Sequence, residues 1–225
     1  MKRLLLSLIF IASFASLYSQ VKVSVLGDSY STFEGWIPEG NEPWYGAEIG
    51  NDVKDVKDTW WYQLIEDNGL ALELNNSWSG ATICNTGYNG EDYTHRSFLT
   101  RAGSLGENPD LIFVFGGTND AWAGSPLGEW GGTDMYTVRP ASLAMFKKLK
   151  ENYPDALIVA IVNTELSKDV ENIIIQACET EAIPYVKLEA IDKQSGHPSI
   201  HGMQQISKQV WKTTAPLLYQ HLRSH

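Results

Sequence analysis

PDLIFVFGGTND, residues 109–120, contains the stretch that decides the fold, because its centre LIFVF is apolar at every position. Residues 156–162, ALIVAIV, form a second run of this kind, and both runs follow a Pro-Asp pair. Residues 21–26, VKVSVL, form a shorter run that ends at Gly27. Continuous apolar runs of this length are typical of strands buried on both faces of a sheet.

The segments around these runs complete an alternation of strands and helices. Weaker strand patterns cover residues 70–74 and 185–188, and helical patterns cover residues 60–67, 93–101, 139–152, 168–181 and 200–221. Pro216 predicts a kink or a break in the last helix. Five strands alternating with helices predict a three-layer α/β/α, flavodoxin-like fold with a mostly parallel five-stranded sheet. We expect a single domain over residues 21–225, because no internal repeat or interdomain linker is apparent.

Composition and charge exclude several classes of protein. The 225 residues are 43% hydrophobic and include only 9 Pro and 19 Gly, which excludes collagen-like and wholly disordered chains. Asp and Glu outnumber Lys and Arg by 27 to 17, which gives a formal net charge of −10. An acidic chain lacks the electrostatic footprint for nucleic acid, so no nucleic-acid partner is expected.

The first 20 residues predict a secretory signal peptide. Lys2 and Arg3 precede an apolar stretch from Leu4 to Leu17, and small residues follow, with Ser19 near the end. A basic start, a short apolar core and a small-residue exit are the three parts of such a signal. The stretch is shorter than the about 20 residues of a membrane span. We therefore expect export to the periplasm or the medium, with no membrane insertion after cleavage.

The sequence contains two cysteines, Cys84 and Cys178. An exported protein can form a disulfide, but the apolar helical pattern around Cys178 favours a buried thiol. We expect both cysteines to be unpaired and structural.

Polar and glycine-rich clusters follow the predicted strands. They are Gly27-Asp28-Ser29, residues 76–80 (NSWSG), residues 116–120 (GGTND) and residues 196–199 (GHPS). In an open parallel sheet the carboxyl ends of the strands meet at one rim, where ligands bind. The clusters would bring together a hydroxyl, an imidazole, a side-chain amide and small-residue backbone, which are the groups that acyl transfer requires.

In order and spacing, these four clusters resemble the blocks of the SGNH (GDSL-type) hydrolases, over about residues 21–221. The resemblance implies a serine esterase that uses no metal or organic cofactor, with Ser29 as nucleophile and His197 as general base. It also implies an oxyanion hole made of the Ser29 and Gly80 backbone amides and the Asn119 side chain.

The last cluster departs from the family pattern. The family usually has an Asp three residues before the histidine, whereas this chain has Gln194 there. Asp192, five residues before His197, is the carboxylate expected to orient the imidazole. The alternative is a Ser–His dyad in which a backbone carbonyl or the Gln194 amide oxygen holds the ring. A carboxylate matters because it fixes the tautomer and stabilises the imidazolium that forms.

The predicted loops over residues 30–58 and 117–138 are long and rich in aromatic side chains. Long loops in compact domains are uncommon and often functional. We expect four tryptophans from these loops to contact the substrate: Trp36, Trp44, Trp122 and Trp130. Aromatic faces beside acidic residues suit sugar rings, so the expected substrate is a small-molecule or polysaccharide ester with a short acyl group such as O-acetyl. The alternative is that the loops fold around their own tryptophans.

Other kinds of protein stay open at this point. The hydroxyls of Ser29, Ser31 and Thr32 could hold a phosphate or a flavin, although no P-loop arrangement accompanies them. A catalytically silent glycan-binding protein that retains the fold is consistent with Gln194. His197 and His201 could share a metal, but a third ligand is not evident and no metal site is predicted. The oligomeric state is left open.

Overall fold

The computed structural model describes residues 20–224. The predicted signal peptide lies almost wholly outside the described residues.

Five strands form one parallel sheet. They are β1 (Lys22–Gly27), β2 (Ala71–Ser77), β3 (Leu111–Phe115), β4 (Leu157–Val162) and β5 (Tyr185–Lys187). Their order across the sheet is β2-β1-β3-β4-β5, and every neighbouring pair is parallel. In register, Gly27 lies between Ser77 and Phe115, so the ends of the three strands meet at one rim. The predicted five-stranded α/β fold is confirmed.

Residues 20–224 contain six α-helices: α1 (Trp60–Asp67), α2 (Phe98–Arg101), α3 (Thr118–Ala123), α4 (Val138–Asn152), α5 (Lys168–Glu181) and α6 (Ile200–Ser224). Alternate residues of β3 face opposite cores: Phe113 packs with the apolar faces of α1 and α6, whereas Ile112 packs with those of α4 and α5. The continuous apolar pattern of the strand is therefore explained by burial on both faces, as the three-layer arrangement requires.

Three helical elements differ from the sequence-based expectation. Helix α6 continues through Pro216 without a break. Pro216 and Lys212 are exposed, so water can solvate the carbonyl that loses its donor. The helix predicted over residues 93–101 is limited to α2, and α3 forms within the predicted loop 117–138.

A short antiparallel hairpin, β6 (Lys193–Gln194) and β7 (His197–Pro198), was not predicted. It turns at Ser195 and Gly196, which both have positive φ, of 54° and 77°. A two-residue turn with positive φ at both positions matches the twist of a hairpin, and glycine favours it. This hairpin presents His197 at the rim of the main sheet.

Two further observations concern the described residues. Cys84 and Cys178 are buried free thiols, as predicted. Within residues 20–224 no helix is both long and apolar enough to cross a membrane.

Candidate active site

Ser29 lies directly after β1, in a short 3-10 turn over Ser29–Ser31. The Asp28 carboxylate begins this turn by accepting a hydrogen bond from the Tyr30 N–H at 3.0 Å. Ser29 is only 3% exposed. A capped turn of this kind holds the serine hydroxyl at a fixed place above the end of the strand.

The Ser29 hydroxyl contacts the imidazole of His197. Ser29 Oγ and His197 Nε2 are 2.9 Å apart, although the two residues are 168 positions apart in the chain. This distance is within the range for proton transfer between a nucleophile and its base. The fold therefore unites the first and the last of the four predicted clusters.

The second nitrogen of the imidazole faces a backbone carbonyl. His197 Nδ1 lies 3.3 Å from the Ser195 carbonyl oxygen, which fits a ring that carries its proton on Nδ1 and accepts at Nε2. The Ser195 carbonyl thus takes the position that a carboxylate has in a Ser-His-Asp triad.

The structure does not bring Asp192 to His197, which corrects the prediction that its carboxylate orients the imidazole. The Asp192 carboxylate instead accepts a hydrogen bond from the Ser199 hydroxyl. Ser195 and Gly196 form the turn of the hairpin, and this turn does not bring the Asp192 carboxylate to the imidazole. Gln194 is also directed away, because its amide nitrogen donates to Asp52 at 3.1 Å. The arrangement is the dyad with a backbone carbonyl.

Aromatic rings enclose the imidazole. The Trp44 ring stacks on it with centroids 3.8 Å apart and planes at 11°, and the Trp122 ring meets it at 5.9 Å and 71°. Burial is the main cause that lowers the pKa of His197 to about 4; the Ser195 carbonyl acts in the opposite direction, and the nearby Lys193 ammonium adds a smaller lowering contribution to that result. The imidazole is therefore neutral at neutral pH, which is the state that accepts a proton.

Tyr30 and Tyr45 hold the hairpin that carries His197. The Tyr30 hydroxyl donates to the Gly196 carbonyl at 2.6 Å, and the Tyr45 hydroxyl donates to the Pro198 carbonyl at 2.9 Å. Asn51 adds a side-chain hydrogen bond to Pro198, also at 2.9 Å. Sequence reasoning missed these residues; the only signal was their position in the long loop that follows the Gly-Asp-Ser cluster.

Gly80 supplies a backbone N–H without an acceptor. It has a φ of 76°, a left-handed conformation that glycine adopts without strain, and open space surrounds the place where a Cβ would be. Within the described part of the chain its N–H makes no hydrogen bond to backbone. The N–H is therefore available for a ligand.

Asn119 is held from both ends of its amide. Its Nδ2 donates to the Ala81 carbonyl at 2.9 Å, and its Oδ1 accepts a hydrogen bond from the Tyr88 hydroxyl at 2.8 Å. These two bonds fix which end of the amide is the donor and leave one N–H of Nδ2 free. Tyr88 lies in a 3-10 turn between β2 and α2, and the sequence analysis did not single it out.

A buried arginine connects the strands beneath the site. The Arg101 guanidinium donates to the Asn76 carbonyl, at the end of β2, and to the Gly27 carbonyl, at the end of β1, the latter at 3.2 Å. Burial raises the pKa of the neighbouring Asp28 to about 7, against the attraction of Arg101. Arg101 thus fixes the spacing between the cluster that contains Ser29 and the cluster that contains Gly80.

The four predicted tryptophans fall into two groups. Trp44 and Trp122 contact the His197 ring, as described above. Trp36 is 43% exposed and packs on Trp61 and Tyr62 of α1, and Trp130 lies beneath Arg139, 5.9 Å from its guanidinium carbon. Trp36 and Trp130 therefore pack against neighbouring side chains of the protein, which agrees with the alternative that the loops fold around their own tryptophans.

The hydroxyls considered for a phosphate or flavin are bonded within the protein. Ser31 Oγ accepts from the Trp60 indole N–H at 3.1 Å, and Thr32 Oγ1 donates to the Ser29 carbonyl at 3.1 Å. His201 is exposed on α6, while His197 Nε2 faces Ser29. In residues 20–224 no group of three or more His, Cys, Asp or Glu side chains is arranged to hold a metal ion.

The comparison with known families agrees with this geometry. A family model described as GDSL-like lipase/acylhydrolase matches residues 21–214. The chain belongs to this family. It is accordingly an ester hydrolase, and the resemblance stated from the four clusters is confirmed.

Solved structures of other GDSL-like proteins are similar over most of the chain. A Bacteroides uniformis protein classed as a GDSL-like lipase is 49% identical, with a TM-score of 0.84 over 88% of this chain and 96% of its own. A Bacteroides ovatus protein of the same class is 46% identical, with a TM-score of 0.85 over 88% of this chain and 99% of its own. A family 3 carbohydrate esterase from Clostridium thermocellum, 15% identical, shares the fold with a TM-score of 0.59 over 89% and 98%. No functionally curated protein matches the chain.

Proposed function

We propose that this GDSL-family member is an exported serine esterase that removes short acyl groups, such as O-acetyl, from glycans or small-molecule esters. The main support for this proposal is the contact of 2.9 Å between Ser29 Oγ and His197 Nε2. A hydroxyl is a weak nucleophile by itself and needs a base within hydrogen-bonding reach. The basic and apolar start of the sequence, Lys2 to Leu17, supports export.

In the first step, Ser29 Oγ forms a bond to the ester carbonyl carbon while its proton passes to His197 Nε2. The carbonyl π electrons move to oxygen, and the Ser29 N–H, the Gly80 N–H and the free N–H of Asn119 Nδ2 stabilise that oxyanion. When the intermediate collapses, the alcohol oxygen leaves with the proton from His197 and an acyl-enzyme forms. Water then repeats the sequence on the acyl-enzyme, with His197 as base, and releases the acid.

The substrate class is proposed from Trp122, the more exposed of the two tryptophans that contact His197. Trp122 is 49% exposed and contacts the His197 ring, so a half-exposed indole lies beside the imidazole. Aromatic faces of this kind stack on sugar rings. Long acyl chains fit less well because the surrounding loops are polar and carry acidic residues.

The test is acetate release from a panel of acetylated polysaccharides, with p-nitrophenyl acetate as a small substrate. We expect Ser29→Ala to abolish release of acetate from both. Trp122→Ala should raise KM for the glycan by a larger factor than KM for the small ester, because only the glycan has a sugar ring to stack on the indole, whereas the matched control Trp36→Ala should change neither KM. Turnover that survives Ser29→Ala would refute the serine mechanism.

A catalytically weak glycan-binding protein is the second candidate, and the absence of a carboxylate contact at His197 among the described residues favours it. In that case the polysaccharide panel would show binding without acetate release.

A further inference from the structure

Trp44 is fixed relative to both members of the Ser29–His197 pair. Its ring lies flat on the imidazole, with centroids 3.8 Å apart and planes at 11°. Its backbone N–H donates to Thr32 Oγ1 at 2.8 Å, and Thr32 Oγ1 donates to the Ser29 carbonyl at 3.1 Å. The Trp44 backbone is therefore tied to the turn that carries Ser29, and the indole stacks on the imidazole.

Acyl transfer through His197 creates a cation beneath this indole. The face of an indole carries negative potential and attracts a cation whose centre lies within about 6 Å of the ring centroid, most strongly where water is excluded. His197 is only 5% exposed, and the polar contact of its second nitrogen is a neutral carbonyl. An uncharged aromatic face is thus the closest large partner for the imidazolium.

We propose that Trp44 is a positioning residue whose indole face orients the His197 imidazole and stabilises the imidazolium formed during acyl transfer. It takes over part of the role that a carboxylate has in a triad. The inference rests on the proposed serine mechanism.

The other ionisable groups around the ring do not supply this stabilisation. Lys193 repels the cation and is itself paired with Glu165 at 3.0 Å. Burial raises the pKa of both Tyr30 and Tyr45, so their phenols are neutral beside the imidazole. The Asp52 and Asp192 carboxylates, near the hairpin, accept hydrogen bonds from groups other than the imidazole. Asp52 accepts from the Gln194 amide and the Ile200 N–H, and Asp192 accepts from the Ser199 hydroxyl.

Tryptophan analogues with one to four fluorine atoms on the indole provide the test, because they weaken the potential of the ring face with little change of shape. Each analogue is placed at position 44 of the full chain by suppression of a stop codon. The rate constant kcat/KM for p-nitrophenyl acetate and the NMR pH titration of His197 are measured, and a His197→Gln spectrum assigns the resonance. Trp44→Phe is a second, genetically simple variant with a smaller aromatic face.

We expect kcat/KM at neutral pH to fall progressively with fluorine number, by up to about tenfold, and the pKa of His197 to fall in parallel by up to about one unit. Trp44→Phe should give an intermediate value of kcat/KM, with KM nearly unchanged. The same analogues at Trp36, which lies in the same loop away from His197, should have no effect.

Two results would overturn the inference. One is a series at position 44 in which neither kcat/KM nor the pKa of His197 changes, because a packing role alone would tolerate fluorine. The other is a rise in KM at constant kcat, which would assign Trp44 to substrate binding. Ser29→Ala is measured in parallel: if it abolishes turnover while the fluorine series is flat, the inference about Trp44 fails and the serine mechanism stands.

Discussion

Replacing Asp192 by asparagine separates a triad from the observed dyad. In a Ser-His-Asp triad this substitution lowers kcat by about 10⁴-fold, because the histidine loses the tautomer it needs. Here the Asp192 carboxylate accepts from Ser199, while the Ser195 carbonyl faces His197 Nδ1. We therefore expect Asp192→Asn to change kcat/KM by less than about threefold, a difference of more than three orders of magnitude between the two arrangements.

The same substitution should affect the start of α6 instead. Ser199 Oγ accepts a hydrogen bond from the Gly202 N–H at 3.1 Å, so Ser199 caps the helix and Asp192 orients the cap. Loss of a cap typically costs about 1 kcal/mol, which corresponds to a decrease in Tm of about 2–4 °C for a chain of this size. Asparagine retains an acceptor oxygen, so the decrease should lie at the low end.

The assay combines p-nitrophenyl acetate kinetics with thermal unfolding, and Ser199→Ala serves as the matched control. Both variants should lose stability and keep turnover. A decrease of 100-fold or more in kcat/KM for Asp192→Asn at an unchanged Tm would mean that the carboxylate reaches the imidazole in the working enzyme. The assignment of the Ser195 carbonyl to that place would then be wrong.

Three further predictions concern the rest of the site. A plot of kcat/KM against pH should stay flat from about pH 8 to about pH 5 and fall to half its value near pH 4. The reason is that the base must be neutral to accept a proton, and burial lowers the pKa of His197 to about 4. A midpoint near pH 6.5 would mean that the imidazole is solvated. Asn119→Ala should lower kcat by about 10²-fold or more, and Tyr88→Phe should lower it by about three- to tenfold through a less fixed amide. Asn119→Ala should also lower Tm, because the buried Ala81 carbonyl loses its donor. Unchanged turnover in the folded Asn119→Ala protein would remove Asn119 from the oxyanion hole. Arg101→Met should lower the free energy of unfolding by about 3 kcal/mol in urea titrations, because the buried Asn76 and Gly27 carbonyls lose a charged donor, although Gly27 retains the Trp78 N–H. A loss below about 1 kcal/mol would contradict that role.

The sheet and the meeting of the four clusters follow from local patterns. Residues 111–115 and 157–162 are apolar at every position, and a strand covered on both faces accounts for such a run. Parallel strands then oblige the residues after each carboxyl end to share a rim, so Ser29 and Asn119 had to lie on the same side of the molecule. This reasoning needs no tertiary detail.

The partner of the imidazole could not be predicted in the same way. Spacing suggested Asp192, because a chain with two inserted residues could return its carboxylate to His197. The insertion instead forms a tight turn at Ser195 and Gly196, and the turn directs a backbone carbonyl at the ring. A Ser-Gly pair is a local signal for such a turn, but which carbonyl faces which nitrogen depends on tertiary packing.

The aromatic loops also combine a feature that the sequence predicts with one that depends on tertiary packing. Their composition indicates contact with the site; Trp44 does stack on the imidazole, and Trp122 meets it at a steep angle. Trp36 has the same residue type and lies in the same loop as Trp44, yet it packs on α1. Composition therefore locates the loop near the site, whereas the direction of each ring depends on contacts that form only in the folded chain.

The low pKa of His197 has consequences for both halves of the proposed reaction. An imidazole with a pKa of about 4 is a weak base, so removing the proton from Ser29 is harder than it would be with a solvated histidine. Because its pKa is low, the imidazolium that results is a comparatively strong acid, and it readily protonates a leaving alcohol oxygen. A sugar alkoxide is a poor leaving group and gains most from that protonation. The aromatic enclosure of His197 thus suits esters of ordinary alcohols, provided that the Ser195 carbonyl and the Trp44 face stabilise the cation while it exists.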